Sequence, residues 1–258
     1  GYGALVLNST ASNNTAVGAL ALDACTTGSN NTALGYNSLG ANTGGFNTAI
    51  GRNALEDNTT GQELVAVGDS CLANNTTASN NTAIGRSAGF ANTTGSSNTF
   101  IGYVAGVSNT TGHSNTAIGA EALDANTTGL YNTAVGKSAL TTVTTGERNS
   151  ALGRNALRQN TGSKNTAVGM NCMEENSSGN SNTALGQRAL QNNTSADNNT
   201  ALGNEALAVN TTGAFNTAVG AFSLDANTTA SSNTAVGYGS LETNTTGAGN
   251  VATGFFFF

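Results

Sequence analysis

A chain of 258 residues with only 9% charged and 5% aromatic residues, 34 glycines and no Pro or Trp lacks the apolar bulk of an ordinary globular domain. Its net charge of −6, with eight Lys and Arg scattered along the chain, excludes the clustered basic face that a nucleic-acid binder needs to neutralise phosphates. No run of about 18 apolar residues is present to insert into a bilayer. Gly1 is not followed by a basic-then-apolar leader, so any export signal is expected outside this sequence.

The same composition would suit a disordered chain, in which burial is too small to offset ordering entropy. Periodicity decides otherwise. A glycine closing a pentad of the type Asn-Thr-Ala-Val-Gly recurs at Gly18, Gly35, Gly51, Gly68, Gly85, Gly102, Gly119, Gly136, Gly153, Gly169, Gly186, Gly203, Gly220, Gly237 and Gly254. The interval is 17 residues, except for two of 16 that end at Gly51 and Gly169. All 14 acidic and eight basic residues fall one, two, five or six places after this register glycine, or five or six before it. A disordered chain has no reason to keep charge out of every other slot, whereas a coil with fixed inward and outward positions does.

In chain order, each unit opens with the pentad, as in Asn132-Thr133-Ala134-Val135-Gly136. A strand is expected there, with a turn at the glycine. Two variable residues follow, then Ala/Ser-Leu, where a second strand is expected, then Asn-Thr-Thr-Gly as a second turn. The unit is too short for a helix-turn-helix repeat, and Gly, Asn and Thr are weak helix formers. The reading is an all-β parallel β-solenoid, or β-roll, of about 15 coils over residues 1–254, with 255–258 as a non-repeat aromatic tail.

Apolar residues come in adjacent pairs, such as Ala134 with Val135 and Ala139 with Leu140. Neighbours in a strand point to opposite faces, so one apolar column is expected inside each chain and the other between chains, in a homotrimer. The pentad aliphatics Val17, Leu34, Ile50, Val67, Ile84, Ile101, Ile118, Val135, Leu152, Val168, Leu185, Leu202, Val219 and Val236 are the core or assembly column of this scheme.

Seven places after the register glycine stand Asn42, Asn58, Asn75, Asn92, Asn109, Asn126, Asn160, Asn176, Asn193, Asn210, Asn227 and Asn244. Stacked in register, their amides can bond from coil to coil as a ladder. A second column opens the pentads, from Asn14 and Asn31 onward, with Leu64 as its odd member. Asn-Thr-Thr is also a formal N-glycosylation sequon, but an inward ladder amide is closed to a transferase, so the structural reading is preferred.

Chemistry-bearing residues are sparse. His113 is the only histidine and sits in a variable turn slot, so it lacks the ordered partners a nucleophile would need. Glu56-Asp57 and Glu174-Glu175 occupy variable slots and are expected to be solvated. Cys71 and Cys172 stand where other coils have Ala or Ser, which marks them as small, buried and inert, and Cys25 replaces a ladder Asn. The nonapeptide of calcium-binding β-rolls is absent; no catalytic residue, metal or cofactor is expected. Tyr2, Tyr36, Tyr103 and Tyr238 follow the register glycine, and Phe46, Tyr131 and Phe215 lie five before it, all in outer positions. They suit contacts between chains, receptor spots or turn packing alike.

The pentads Asn14-Thr15-Ala16-Val17-Gly18 and Asn115-Thr116-Ala117-Ile118-Gly119 resemble the head repeats of trimeric autotransporter adhesins. The longer unit, with Ala-Leu and then Asn-Thr-Thr-Gly, is similar to repeats upstream of the endosialidase-type chaperone domains of phage tail fibres. The resemblance implies a left-handed, trimeric β-roll in an extracellular fibre at a cell surface or on a virion. Its partners would be further copies of itself, end to end in a filament, and a cell-surface receptor. It implies neither nucleic-acid binding nor membrane insertion. Repeated threonines also suit an alternative, an ice-binding solenoid with a Thr-lined face.

Overall fold

The computed structural model describes residues 1–255; the remainder of the aromatic tail, 256–258, lies outside the described residues. The chain divides into two compact units, Gly1–Tyr131 and Asn132–Phe258, and each is a parallel β-solenoid.

In the first unit the strands are β1 (Thr15–Val17), β2 (Thr32–Leu34), β3 (Thr48–Ile50), β4 (Val65–Val67), β5 (Thr82–Ile84), β6 (Thr99–Ile101) and β7 (Thr116–Ile118). Each pairs in parallel with the next, like residue opposite like, as in Thr32 to Thr48 and Ala33 to Ala49. The second unit repeats the pattern with β8 (Thr133–Val135), β9 (Ser150–Leu152), β10 (Thr166–Val168), β11 (Thr183–Leu185), β12 (Thr200–Leu202), β13 (Thr217–Val219), β14 (Thr234–Val236) and β15 (Val251–Thr253). The middle residue of each strand points inward, and Ala33, Ala49, Ala66, Ala83, Ala117, Ala134 and Ala167 are completely buried. Where the turn leucines fill the rest of the narrow core, only an inward methyl fits.

One strand per coil is formed, not two. The Ala-Leu segment expected as a second strand is a turn, with φ of 52° at Leu22, 53° at Leu39 and 52° at Leu157. Both the Ala and the Leu are buried, as at Ala54-Leu55 and Ala156-Leu157. An extended segment would send one of the two outward. A left-handed residue at the leucine turns both inward, at a cost of about 1–2 kcal/mol. Complete burial of the side chain contributes about 1.5–3 kcal/mol, so packing outweighs the backbone strain. The residue two places after the glycine is left-handed as well, as at Asn37 (φ 53°) and Ser70 (φ 53°), which bends the chain round the core.

The register glycines are obligatory for two reasons. Gly68 has a φ of 142°, and a Cβ there would meet the carbonyl oxygen of Gly85 at 2.5 Å, in the next coil.

The asparagines form two different columns. In the first, Asn75 Nδ2 donates to Asn58 Oδ1 at 2.8 Å and Asn109 Nδ2 to Asn92 Oδ1 at 2.8 Å, while each also donates to the carbonyl at the end of its own loop. The second unit matches, with Asn193 donating to Asn176 at 2.6 Å and Asn227 to Asn210 at 2.9 Å. In the second column the side-chain oxygen instead accepts the backbone N–H of the same residue one coil on, as Asn31 does from Asn47 at 2.9 Å. These amides are fully buried, and every such bond spares a buried polar group a desolvation penalty of about 1–3 kcal/mol. The 16-residue coils drop one loop threonine without breaking the pattern: Asn42 and Asn160 reach Gly44 and Gly162, two residues on, both at 2.9 Å.

Candidate interaction surfaces

The strands place two ranks of side chains on their outer face. Thr (Val at Val65 and Val251, Ser at Ser150) forms one rank, and the pentad aliphatics form the other, with Thr253 in their place in β15. Val17, Leu34, Ile50, Ile84, Ile118, Leu152, Leu185, Leu202 and Val236 are exposed, and Val67, Ile101, Val135, Val168 and Val219 are half-buried. The adjacent-residue pairs are thereby resolved: Ala faces the core of its own chain, and the aliphatic faces away from it. No charged residue lies on this face in either unit.

The loop threonines are otherwise engaged. Thr59 Oγ1 donates to the Thr76 carbonyl at 2.9 Å, Thr76 to Thr93 at 3.1 Å and Thr194 to Thr211 at 3.0 Å, a third column of coil-to-coil bonds. Together with the burial of the Asn-Thr-Thr asparagines, this makes the loop a structural seam. Outward ranks of threonine belong to the strands, where sequence reasoning had not placed them.

Charge gathers on the turns. In the first unit, the residues directly after five successive register glycines are Tyr36, Arg52, Asp69, Arg86 and Tyr103. Arg52 holds Asp69 through two bonds, Nε to Oδ1 at 2.7 Å and Nη2 to Oδ2 at 3.2 Å. Arg86 stands 3.9 Å from the same carboxylate, with its guanidinium 6.0 Å from the Tyr103 ring centre. The Arg52 hydrogen bond lowers the Asp69 pKa against the opposing effect of desolvation. In the second unit Arg158 bridges Glu174 at 3.0 Å and Glu175 at 3.3 Å, and Gln191 donates to Glu174 at 3.1 Å. Glu174 is buried by these partners, contrary to the expectation that the pair is solvated. Asp124 and Asp225 occupy the same slot, and desolvation raises both pKa values, helped at Asp225 by Glu205 and Glu242.

The remaining candidates are structural. Burial pushes the thiols of Cys71 and Cys172 up to about 12. Cys25 Sγ lies 3.2 Å from the Gly28 carbonyl, reproducing the loop bond of the Asn it replaces. His113 is half-buried rather than a free turn residue, edge-on to Tyr131 with ring centres 5.4 Å apart. Among the described residues there is no pocket, and no group of three or more His, Cys, Asp or Glu is placed to hold a metal ion. Among the described residues no helix is long and apolar enough to cross a membrane.

A linked set of substitutions that sequence reasoning passed over is in the core. Phe100 takes the place of the inward strand alanine, and Gly89 and Gly106 replace the inward leucines beside it. A Cβ on Gly89 would meet Phe100 Cδ2 at 2.6 Å. The signal was available: two leucine positions become glycine on either side of the one pentad with an aromatic centre.

Fold and surfaces together define a tandem-repeat β-solenoid with a neutral strand face and a charged turn face. Comparison of the chain with protein-family models, curated proteins and solved structures finds no match.

Proposed function

We propose that this chain is a structural segment of an extracellular fibre, of the phage tail-fibre or bacterial surface-adhesin kind, with no catalytic role, and that it assembles with further copies of itself as a trimer. The observation that carries the reading is the outer strand face: in each unit it bears an aliphatic rank free of charge, from Val17 to Ile118 in the first and from Val135 to Val236 in the second. A monomeric protein rarely leaves so regular an apolar strip to water. A partner with the same coil spacing can cover it along its whole length, and a further copy has that spacing by construction. The likeness of the pentads to adhesin-head and tail-fibre repeats supports the same conclusion. Negative-stain electron microscopy and light scattering test it: elongated oligomers are expected, and Ile84→Arg with Leu185→Arg, one charge in each unit, should return the chain to monomer. A wild-type chain that is monomeric at all concentrations would end the proposal.

The strand threonines favour a second reading, an ice-binding face on the same strip, with hydroxyl and methyl groups in regular ranks. A thermal-hysteresis assay separates the two, because ice binding requires the monomer's face to be open.

A further inference from the structure

We propose that the turn column Tyr36–Arg52–Asp69–Arg86–Tyr103 is a binding track for a linear polysaccharide that carries carboxylates. The five residues follow successive register glycines, so they stand in one row along the coil stack. Coils are about 4.8 Å apart, which separates the two tyrosines by about 19 Å. Tyr36 and Tyr103 are 52% and 50% exposed, each presenting a ring on which the C–H face of a pyranose can stack. Arg52 is committed to Asp69 by its two hydrogen bonds. Arg86 is held less closely: it pairs with Asp69 at 3.9 Å without a hydrogen bond, and its side chain is 67% exposed. The nearby Glu56 accepts from Asn37 Nδ2 at 2.8 Å. The guanidinium left beside the Tyr103 ring can therefore take a sugar carboxylate through paired N–H bonds while the ring takes the sugar face.

The row's dimensions select the ligand. One side chain wide and five coils long, it offers roughly 200 Å², well below the ~800 Å² that a protein partner covers. Two arginines fall short of the phosphate contacts a nucleic acid requires. An extended sugar chain needs only a narrow row, and its residue-to-residue rise is close to the coil spacing. The corresponding column of the second unit reads Lys137, Arg154, Met170, Gln187, Asn204, Ala221, Tyr238 and Phe255, with its one tyrosine five coils from Arg154, so the adjacent arginine and tyrosine of the track belong to the first unit.

The inference rests on the extracellular-fibre reading for access to such a ligand. It is tested by titrating the full chain with polygalacturonate and with neutral dextran, comparing wild type with Tyr103→Ala, Arg86→Gln and, as a control in the second unit, Arg154→Gln. Polygalacturonate is expected to bind and dextran not to bind. Tyr103→Ala and Arg86→Gln should each weaken binding about tenfold or more, and Arg154→Gln should leave it unchanged. No binding by wild type, equal binding by all variants, or a change of oligomeric state in the Tyr103 or Arg86 variant would each overturn the assignment, the last by making the row a contact between copies. Electron microscopy of the same samples keeps the two readings apart: fibres that bind no polysaccharide end the track alone, and binding without fibres ends the fibre.

Discussion

The coil around Phe100 in the first unit and the coils around Ala184 and Ala201 in the second solve one packing problem in two ways. In the second unit the strand supplies a methyl and the turns supply Leu190 and Leu207, all buried. Around Phe100 the strand supplies a ring, and the turns withdraw to Gly89 and Gly106, with φ of 61° and 58°. The glycines keep the left-handed backbone that the leucines have elsewhere. What the fold conserves is core volume per coil and the turn conformation, not the identity of any inward side chain.

Substitution at these sites should give the largest effects. Phe100→Ala leaves a cavity that two glycines cannot fill and should cost about 3–5 kcal/mol in urea unfolding of that region. Adding Gly89→Leu and Gly106→Leu restores the arrangement of the second unit and should recover most of the loss. The reciprocal change, Ala201→Phe with Leu190 and Leu207 kept, overfills the core and should cost about 1–3 kcal/mol or more. Because stacked coils can open region by region, the buried thiols of Cys71 and Cys172 serve as reporters, one in each unit. With thiolates suppressed by burial, neither should react with a thiol reagent at pH 8 in the native state. In Phe100→Ala, Cys71 should become reactive at lower urea than Cys172; simultaneous labelling would show that the two units open together.

A smaller contrast separates an interrupted from an uninterrupted asparagine column. Asn193→Val removes a donor that serves both Asn176 and the Ala196 carbonyl, and should cost about 1–3 kcal/mol. Cys25→Asn instead offers Asn42 a side-chain oxygen in the coil before it and should stabilise the first unit by about 1 kcal/mol. Urea midpoints of the two variants, shifted in opposite directions, would sustain the ladder as a stabilising element; equal and small shifts would reduce it to a passive filler.

The smallest effect is in pH dependence, where two carboxylates have opposite signs. Asp69 in the first unit has a lowered pKa, so its contribution is present above the unfolded value of 3.8 and is lost as pH falls through the folded value. Asp225 in the second unit has a raised pKa, so its charge opposes folding above the folded value, and the penalty disappears below 3.8. Asp69→Asn should therefore slightly destabilise at pH 7 and Asp225→Asn slightly stabilise, the Asp225 difference vanishing below 3.8 and the Asp69 difference only below its lowered folded value. Differences that persist below those values would point to packing rather than charge.

Several features were legible from residues alone because they repeat: the coil length, the in-register strands, the buried Asn42-to-Asn126 column and the confinement of charge to the turns. The second strand was misjudged at Ala-Leu because two adjacent apolar residues say that both seek burial, but not that a left-handed leucine is the means. Glu174 was misjudged for a related reason, since its burial depends on Arg158 and Gln191, in the neighbouring coils. Of the candidate surfaces, the aliphatic rank could be named from sequence but its direction could not, and the Tyr36-to-Tyr103 row is visible only once the register is read as a stack.

By itself the sequence determined the repeat, the stacking of like on like, and which slots exclude charge, since each follows from periodic patterning that only a regular coil satisfies. Tertiary structure alone decided which member of each apolar pair faces the core, how Phe100 is accommodated and which arginine remains beside an open tyrosine. Those outcomes depend on volumes, backbone angles and distances between residues about 17 positions apart.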